Sequence, residues 1–148
     1  MRILPDVNVL LGAHRQDHPL HALSRQVIDG VGRSGFLLCA HTLNGFHRLA
    51  TLAAAARDGR ASPIALVLAA QREWRARPES RMIGDSIDAW NMQASLCERY
   101  GIAGNAIFDA HLAALAIVHQ AVLISDDQGF ARFAELRWKP PQAFAGIA

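Results

Sequence analysis

Short apolar runs alternating with helical stretches constrain this chain more than any other feature. Residues 2–5 read as a short strand ended by Pro5, 36–40 and 121–124 are apolar runs of strand length, and 81–83 is a further candidate. Between them, apolar residues recur at helical spacing, as Leu20, Leu23, Val27, Ile28 and Val31 do. Strands separated by helices imply a parallel sheet covered on both sides, so the expected fold is three-layer α/β/α around a central, mostly parallel sheet. Helices are expected over Val7 to Ala13 with Asp6 as N-cap, from His18-Pro19 to the glycines at 30, 32 and 35, and over Thr42 to Ala56. Four more are expected: Pro63 to about Arg77 with Ser62 as cap, Asp85 to Tyr100 with Asp85 as cap, Asn105 to about His119, and a short one over Gly129 to Ala134.

Length and composition narrow the function classes. With no repeat, linker or low-complexity tract, the 148 residues are expected to form a single domain over 1–148. An apolar fraction of 51% and a charged fraction of 19% describe a globular chain. No apolar run reaches the ~20 residues of a membrane span, and Asp6 interrupts the apolar start of any signal peptide, so a cytoplasmic protein is expected. Cys39 and Cys97 lie among apolar neighbours and read as buried free thiols. A net charge of +2 does not by itself announce a nucleic-acid binder. The arginines between Arg57 and Arg81 read as a solvated helix face.

Three aspartates carry the chemistry. Asp6 follows the first strand and Asp127 the late one, and sites in parallel sheets lie at the carboxyl ends of strands. Each has a local explanation, a helix cap for Asp6 and a turn for Asp127. Asp109 is harder to explain locally, because it sits in an apolar helix beside Leu112, Ala113 and Ala116, where a carboxylate needs a partner. A hard divalent cation, Mg²⁺ or Mn²⁺, shared by Asp6, Asp109 and Asp127 accounts for all three positions. His14, His18 and His21 have near-helical spacing that Pro19 interrupts, so they read as surface histidines rather than zinc ligands. His47 and His111 fall near the proposed site and read as structural.

Three segments carry a resemblance. Residues 4–12 (Leu-Pro-Asp-Val-Asn-Val-Leu-Leu-Gly), the stretch Gly104-Asn105 to Asp109-Ala110 and on to Ala116, and Leu123-Ile124-Ser125 through Asp127, Gly129-Phe130 and Phe133 resemble the motifs of PIN-domain ribonucleases. They are most similar to the VapC toxins of bacterial toxin–antitoxin pairs. The resemblance implies a PIN-like fold and a Mg²⁺-dependent endoribonuclease (Mn²⁺ an alternative ion). Asp6, Asp109 and Asp127 would be its catalytic and metal-binding acids, with Asn8 and Ser125 as supporting polar residues. It implies hydrolysis of an RNA phosphodiester that leaves 5′-phosphate and 3′-hydroxyl ends. It also implies a homodimer and a cognate VapB-type antitoxin. The family's second acid, usually a Glu early in the third helix, corresponds to Gly45, with Asn44 or His47 as candidate substitutes. The alternative is a catalytically weakened PIN-like module that binds RNA or protein. A haloacid-dehalogenase-type phosphatase would place a lysine upstream of the late acids, whereas the only lysine, Lys139, lies downstream.

Overall fold

The computed structural model describes residues 1–146. Its centre is a sheet of five parallel strands in the order β3-β2-β1-β4-β5. These are β1 (Ile3–Pro5), β2 (Phe36–Leu38), β3 (Ser80–Met82), β4 (Val122–Ile124) and β5 (Trp138–Lys139). Six α-helices accompany them: α1 (Val7–His14), α2 (His21–Asp29), α3 (Ala40–Ala50), α4 (Ile64–Ala76), α5 (Ile87–Tyr100) and α6 (Ala106–Val118).

The three central strands β1, β2 and β4 are apolar throughout because side chains alternate between two cores. Ile3, Phe36, Leu38, Val122 and Ile124 enter one core, with Val9 and Leu10 of α1, Val27 and Ile28 of α2, Phe46 of α3 and Trp74 of α4. Leu4, Leu37 and Leu123 enter the other, with Ala89 and Leu96 of α5 and Leu112 and Leu115 of α6. Four buried alanines, Ala110, Ala113, Ala114 and Ala116, let α6 lie close between sheet and α5. The three-layer α/β/α expectation therefore holds, with every strand pair parallel.

β1 is central and pairs β2 on one side and β4 on the other, with Pro5 opposite Ile124. The chain reverses its direction of winding at this strand, which opens a crevice beyond the carboxyl ends of β1 and β4. α6 leads directly into β4 and runs antiparallel to it, so its first turn lies at the same edge.

Several boundaries differ from the sequence expectation. α3 ends at Ala50 instead of Ala56, where the Thr51 hydroxyl donates to the His47 carbonyl at 2.7 Å. The segment after it is held to α1 by Arg15, which donates to the Arg60 carbonyl at 2.8 Å and pairs with Asp58 at 2.8 Å and Asp17 at 2.9 Å. Ser62 does not cap α4: its hydroxyl accepts from Arg15 at 3.1 Å and meets His14 Nε2 at 3.0 Å, and Pro63 takes the cap position. α5 is capped by Ser86, whose Oγ accepts from the Ala89 amide at 3.1 Å, which leaves Asp85 free for His111. The late helix is a 3-10 segment, Gln128–Arg132. β5 is two residues long and includes a lysine, too little pattern to be read in sequence. Both cysteines are free thiols, but only Cys39 is fully buried. No described helix is long and apolar enough to cross a membrane.

Candidate active site

Asp6 leaves the end of β1 and caps α1, its Oδ1 accepting from the Val7 amide at 2.7 Å. The cap and site readings of this residue are compatible, because its second oxygen, Oδ2, faces the neighbouring strand end. There the Ser125 hydroxyl donates to it at 2.7 Å. Ser125 is fully buried, and its Oγ also accepts from Asn8 Nδ2 and from the Asp127 amide, both at 3.1 Å. Asn8 reaches further, its Oδ1 accepting from the Asp126 amide at 3.2 Å. One hydroxyl thus joins the end of β1, the first turn of α1 and the turn after β4.

Asp127 caps the 3-10 segment, its Oδ1 accepting from the Gly129 amide at 2.8 Å. Asp109 stands in the first turn of α6 with 32% of its side chain exposed, and it pairs with Arg132 at 2.9 Å. It is an edge residue rather than one buried among the helix's apolar neighbours.

The three carboxylates sense one another. Burial pushes the Asp6 carboxyl above its ordinary value; hydrogen bonds from Ser125 and Val7 and the nearby His41 oppose this, and Asp127 adds to it. Asp109 is likewise raised, first by burial and then by Asp127, against the opposing Arg132, with Asp6 adding a smaller push. Negative charge therefore accumulates at this edge, that of Asp109 offset by Arg132.

One site residue escaped the sequence reading. His41, in the first turn of α3, feels both Asp6 and Asp109; burial nevertheless holds its imidazole below the ordinary value. Its signal was positional: it follows β2 as Asp6 follows β1, and those strands are neighbours. The two substitutes considered for the second acid are placed otherwise. Asn44 is exposed, and the His47 ring packs beside Phe46 with its Nε2 buried and unpartnered. Gly45 lies one turn after His41, and a Cβ built on it would fall 2.5 Å from Val7 Cγ2. His14 and His21 are structural, bonding Ser62 and the Gly12 carbonyl, as is His18, whose Nδ1 accepts from the Leu20 amide.

Among the described residues, no three acidic, His or Cys side chains are drawn into a closed set of metal ligands. Asp109 leans towards Arg132 and Asp127 turns back on Gly129. The chemistry of the donor set nevertheless fits a hard cation: all-oxygen and anionic, with two carboxyls raised chiefly by burial and further by their neighbours' charge.

Comparison with known proteins gives concordant results. A family model described as PIN domain matches residues 3–136. The chain is 33% identical over 143 residues to Ribonuclease VapC33 of Mycobacterium tuberculosis, covering 94% of this chain and 97% of that one. It is 35% identical over 144 residues to VapC ribonuclease Mb2897 of Mycobacterium bovis, covering 92% of each. Among solved structures it is similar in fold to one described as VapBC2 from Rickettsia felis bound to a DNA fragment from their promoter. The TM-score there is 0.65 at 16% identity, over 95% of this chain and 98% of that chain.

Proposed function

The chain belongs to the PIN-domain family, among its VapC ribonucleases, and from that premise we propose a Mg²⁺-dependent endoribonuclease toxin acting through Asp6, Asp109 and Asp127. The observation that carries this reading is the convergence of three carboxylates from distant parts of the chain at one sheet edge, where the Ser125 hydroxyl joins Asp6 to the Asp127 turn and Asp109 stands in the first turn of α6. Mg²⁺ or Mn²⁺ held by these acids would supply the positive charge that offsets scissile phosphate and leaving oxygen, and would activate water.

The protein's own share is orientation. Ser125 and the Val7 amide fix both oxygens of Asp6, and Asn8 ties that pair to the turn carrying Asp127. A carboxylate held by two donors cannot swing away when its neighbours change charge. In the proposed reaction the oxygen of water bonds to phosphorus as the P–O3′ bond breaks. The leaving oxygen takes a proton, giving 5′-phosphate and 3′-hydroxyl ends. The chain would work in the cytoplasm as one PIN-like domain over 1–148 and as a homodimer. A VapB-type antitoxin would restrain it, an inserted arginine being the natural blocker of an acidic site.

Two observations favour the weakened binding module as second reading: the acid position at Gly45 is sterically closed by Val7, and Arg132 already neutralises Asp109. The deciding experiment incubates purified protein and structured RNA with Mg²⁺ or Mn²⁺, beside an Asp6→Asn control. Cleavage by the native chain alone is expected. RNA binding without cleavage would establish the second reading.

A further inference from the structure

Four rings run in a row across α6, α3 and α5 beside the carboxylates. Phe108 and His41 lie 6.2 Å apart with planes 29° from parallel. His41 and His111 lie 6.1 Å apart, edge to face. His111 and Trp90 lie 6.0 Å apart, tilted by 31°. The outer two are open to solvent, Phe108 by 59% and Trp90 by 53%. A single exposed ring needs no explanation, but an unbroken row with both ends exposed is not what core packing produces.

The row begins at the proposed site. Phe108 immediately precedes Asp109, and His41 is the imidazole that senses both Asp6 and Asp109. At its middle, His111 is held in orientation by Asp85, Nε2 to Oδ1 at 2.6 Å. We propose that this row is a track for nucleobase stacking, which takes the unpaired bases flanking the scissile phosphate of an RNA substrate.

The inference rests on the ribonuclease reading, and three features favour bases over a protein surface. The rings step by about 6 Å, close to twice the roughly 3.4 Å per nucleotide of a stacked strand. They therefore suit bases splayed apart, the form in which single-stranded RNA is read. Two of the four are imidazoles, which add hydrogen-bonding edges to an aromatic face. A strand whose phosphate sits at the carboxylates would have its neighbouring bases near this row, since His41, stacked on Phe108, is close enough to Asp6 and Asp109 to feel their charge.

The test measures binding of fluorescein-labelled oligouridylate by anisotropy in an Asp6→Asn background, so that cleavage does not consume the probe. Phe108→Ala and Trp90→Ala are each expected to weaken binding about tenfold, the effect of losing one base–aromatic stack. Phe108→Tyr and Trp90→Phe are expected to stay within about twofold. Pairing the probe with oligoadenylate should abolish the sensitivity to both alanine variants. Ile87, exposed one turn before Trp90, carries no ring, and Ile87→Ala should leave binding unchanged. Unchanged binding in both ring-deletion variants would overturn the proposal. So would a fall in sedimenting mass with binding intact, which would assign the rings to an interface between protein chains. The native chain's cleavage assay is separate: ring-dependent binding without cleavage would refute the nuclease and leave the track standing.

Discussion

Substituting Gly45 by alanine tests whether α1 and α3 are locked together where Gly45 faces Val7. In an open helix interior, Gly→Ala stabilises by about 1 kcal/mol. Here the added carbon would lie 2.5 Å from Val7 Cγ2 and 3.3 Å from Cγ1, whereas carbon pairs rest at about 3.5–4.0 Å. The neighbour must therefore yield by about 1 Å. Val7 is β-branched and stands in the first turn of a helix, so it has essentially one rotamer available and cannot swing aside. Over-packing of this kind costs roughly 1–3 kcal/mol. Subtracting the propensity gain leaves Gly45→Ala less stable by about 1 kcal/mol. Val7→Ala opens the space, so the double variant should be more stable than Val7→Ala alone by about 1 kcal/mol. The coupling read from urea unfolding across the four proteins would then be about 2 kcal/mol. A Gly45→Ala chain more stable than the native one, with effects that add, would refute the reasoning. The same cycle carries to function: Gly45→Glu alone is expected to destabilise, while Val7→Ala/Gly45→Glu should accept a fourth carboxylate and cleave RNA faster in Mg²⁺.

The remaining predictions concern the carboxylates and a cap. The folded-state carboxyl of Asp6 is raised, so its charge destabilises the fold above that pKa, and the effect fades as pH falls towards the unfolded value of 3.8. Asp6→Asn should therefore raise the melting temperature in chelator at pH 7, with the gain shrinking towards pH 4; a loss of stability at pH 7 would contradict this. Mg²⁺ should raise the melting temperature of the native chain, and less so for Asp127→Asn, because a ligand that binds only the folded state stabilises it. Ser125→Ala removes the buried hydroxyl shared by Asp6, Asn8 and the Asp127 amide, and should cost roughly 1–3 kcal/mol in urea unfolding as well as lowering cleavage. Ser86→Ala should cost about 1 kcal/mol as a lost helix cap, whereas Asp85→Ala should remove only the His111 contact.

The parallel sheet and its two helical layers were legible because strand residues such as Ile3-Leu4 and Phe36-Leu37-Leu38 serve two cores, and this leaves continuous apolar runs in the sequence. Helix ends were less legible. Ser62 and Asp85 are good capping residues by type, yet Arg15 and His111 engage them, and no local rule anticipates a partner 47 or 26 residues away. The pairing of β5 with β4 has the same origin, since Trp138-Lys139 is a strand only because Leu123 and Ile124 lie beside it.

For the site, residue types and order along the chain singled out Asp6, Asp109 and Asp127, because acids at strand ends and in an apolar helix are costly unless they work together; Asn8 and Ser125 came only from the resemblance to PIN-domain ribonucleases. Which of their atoms meet was settled only in three dimensions. The Ser125 hydroxyl reaching Asp6, the Arg132 guanidinium on Asp109 and the entry of His41 all depend on β2, β1 and β4 lying side by side. Gly45 makes the same point: the sequence shows only a glycine, while the packed helices show Val7 standing where a side chain would begin. Local chemistry is written in the chain, but steric exclusion and charge coupling act between segments that only folding brings together.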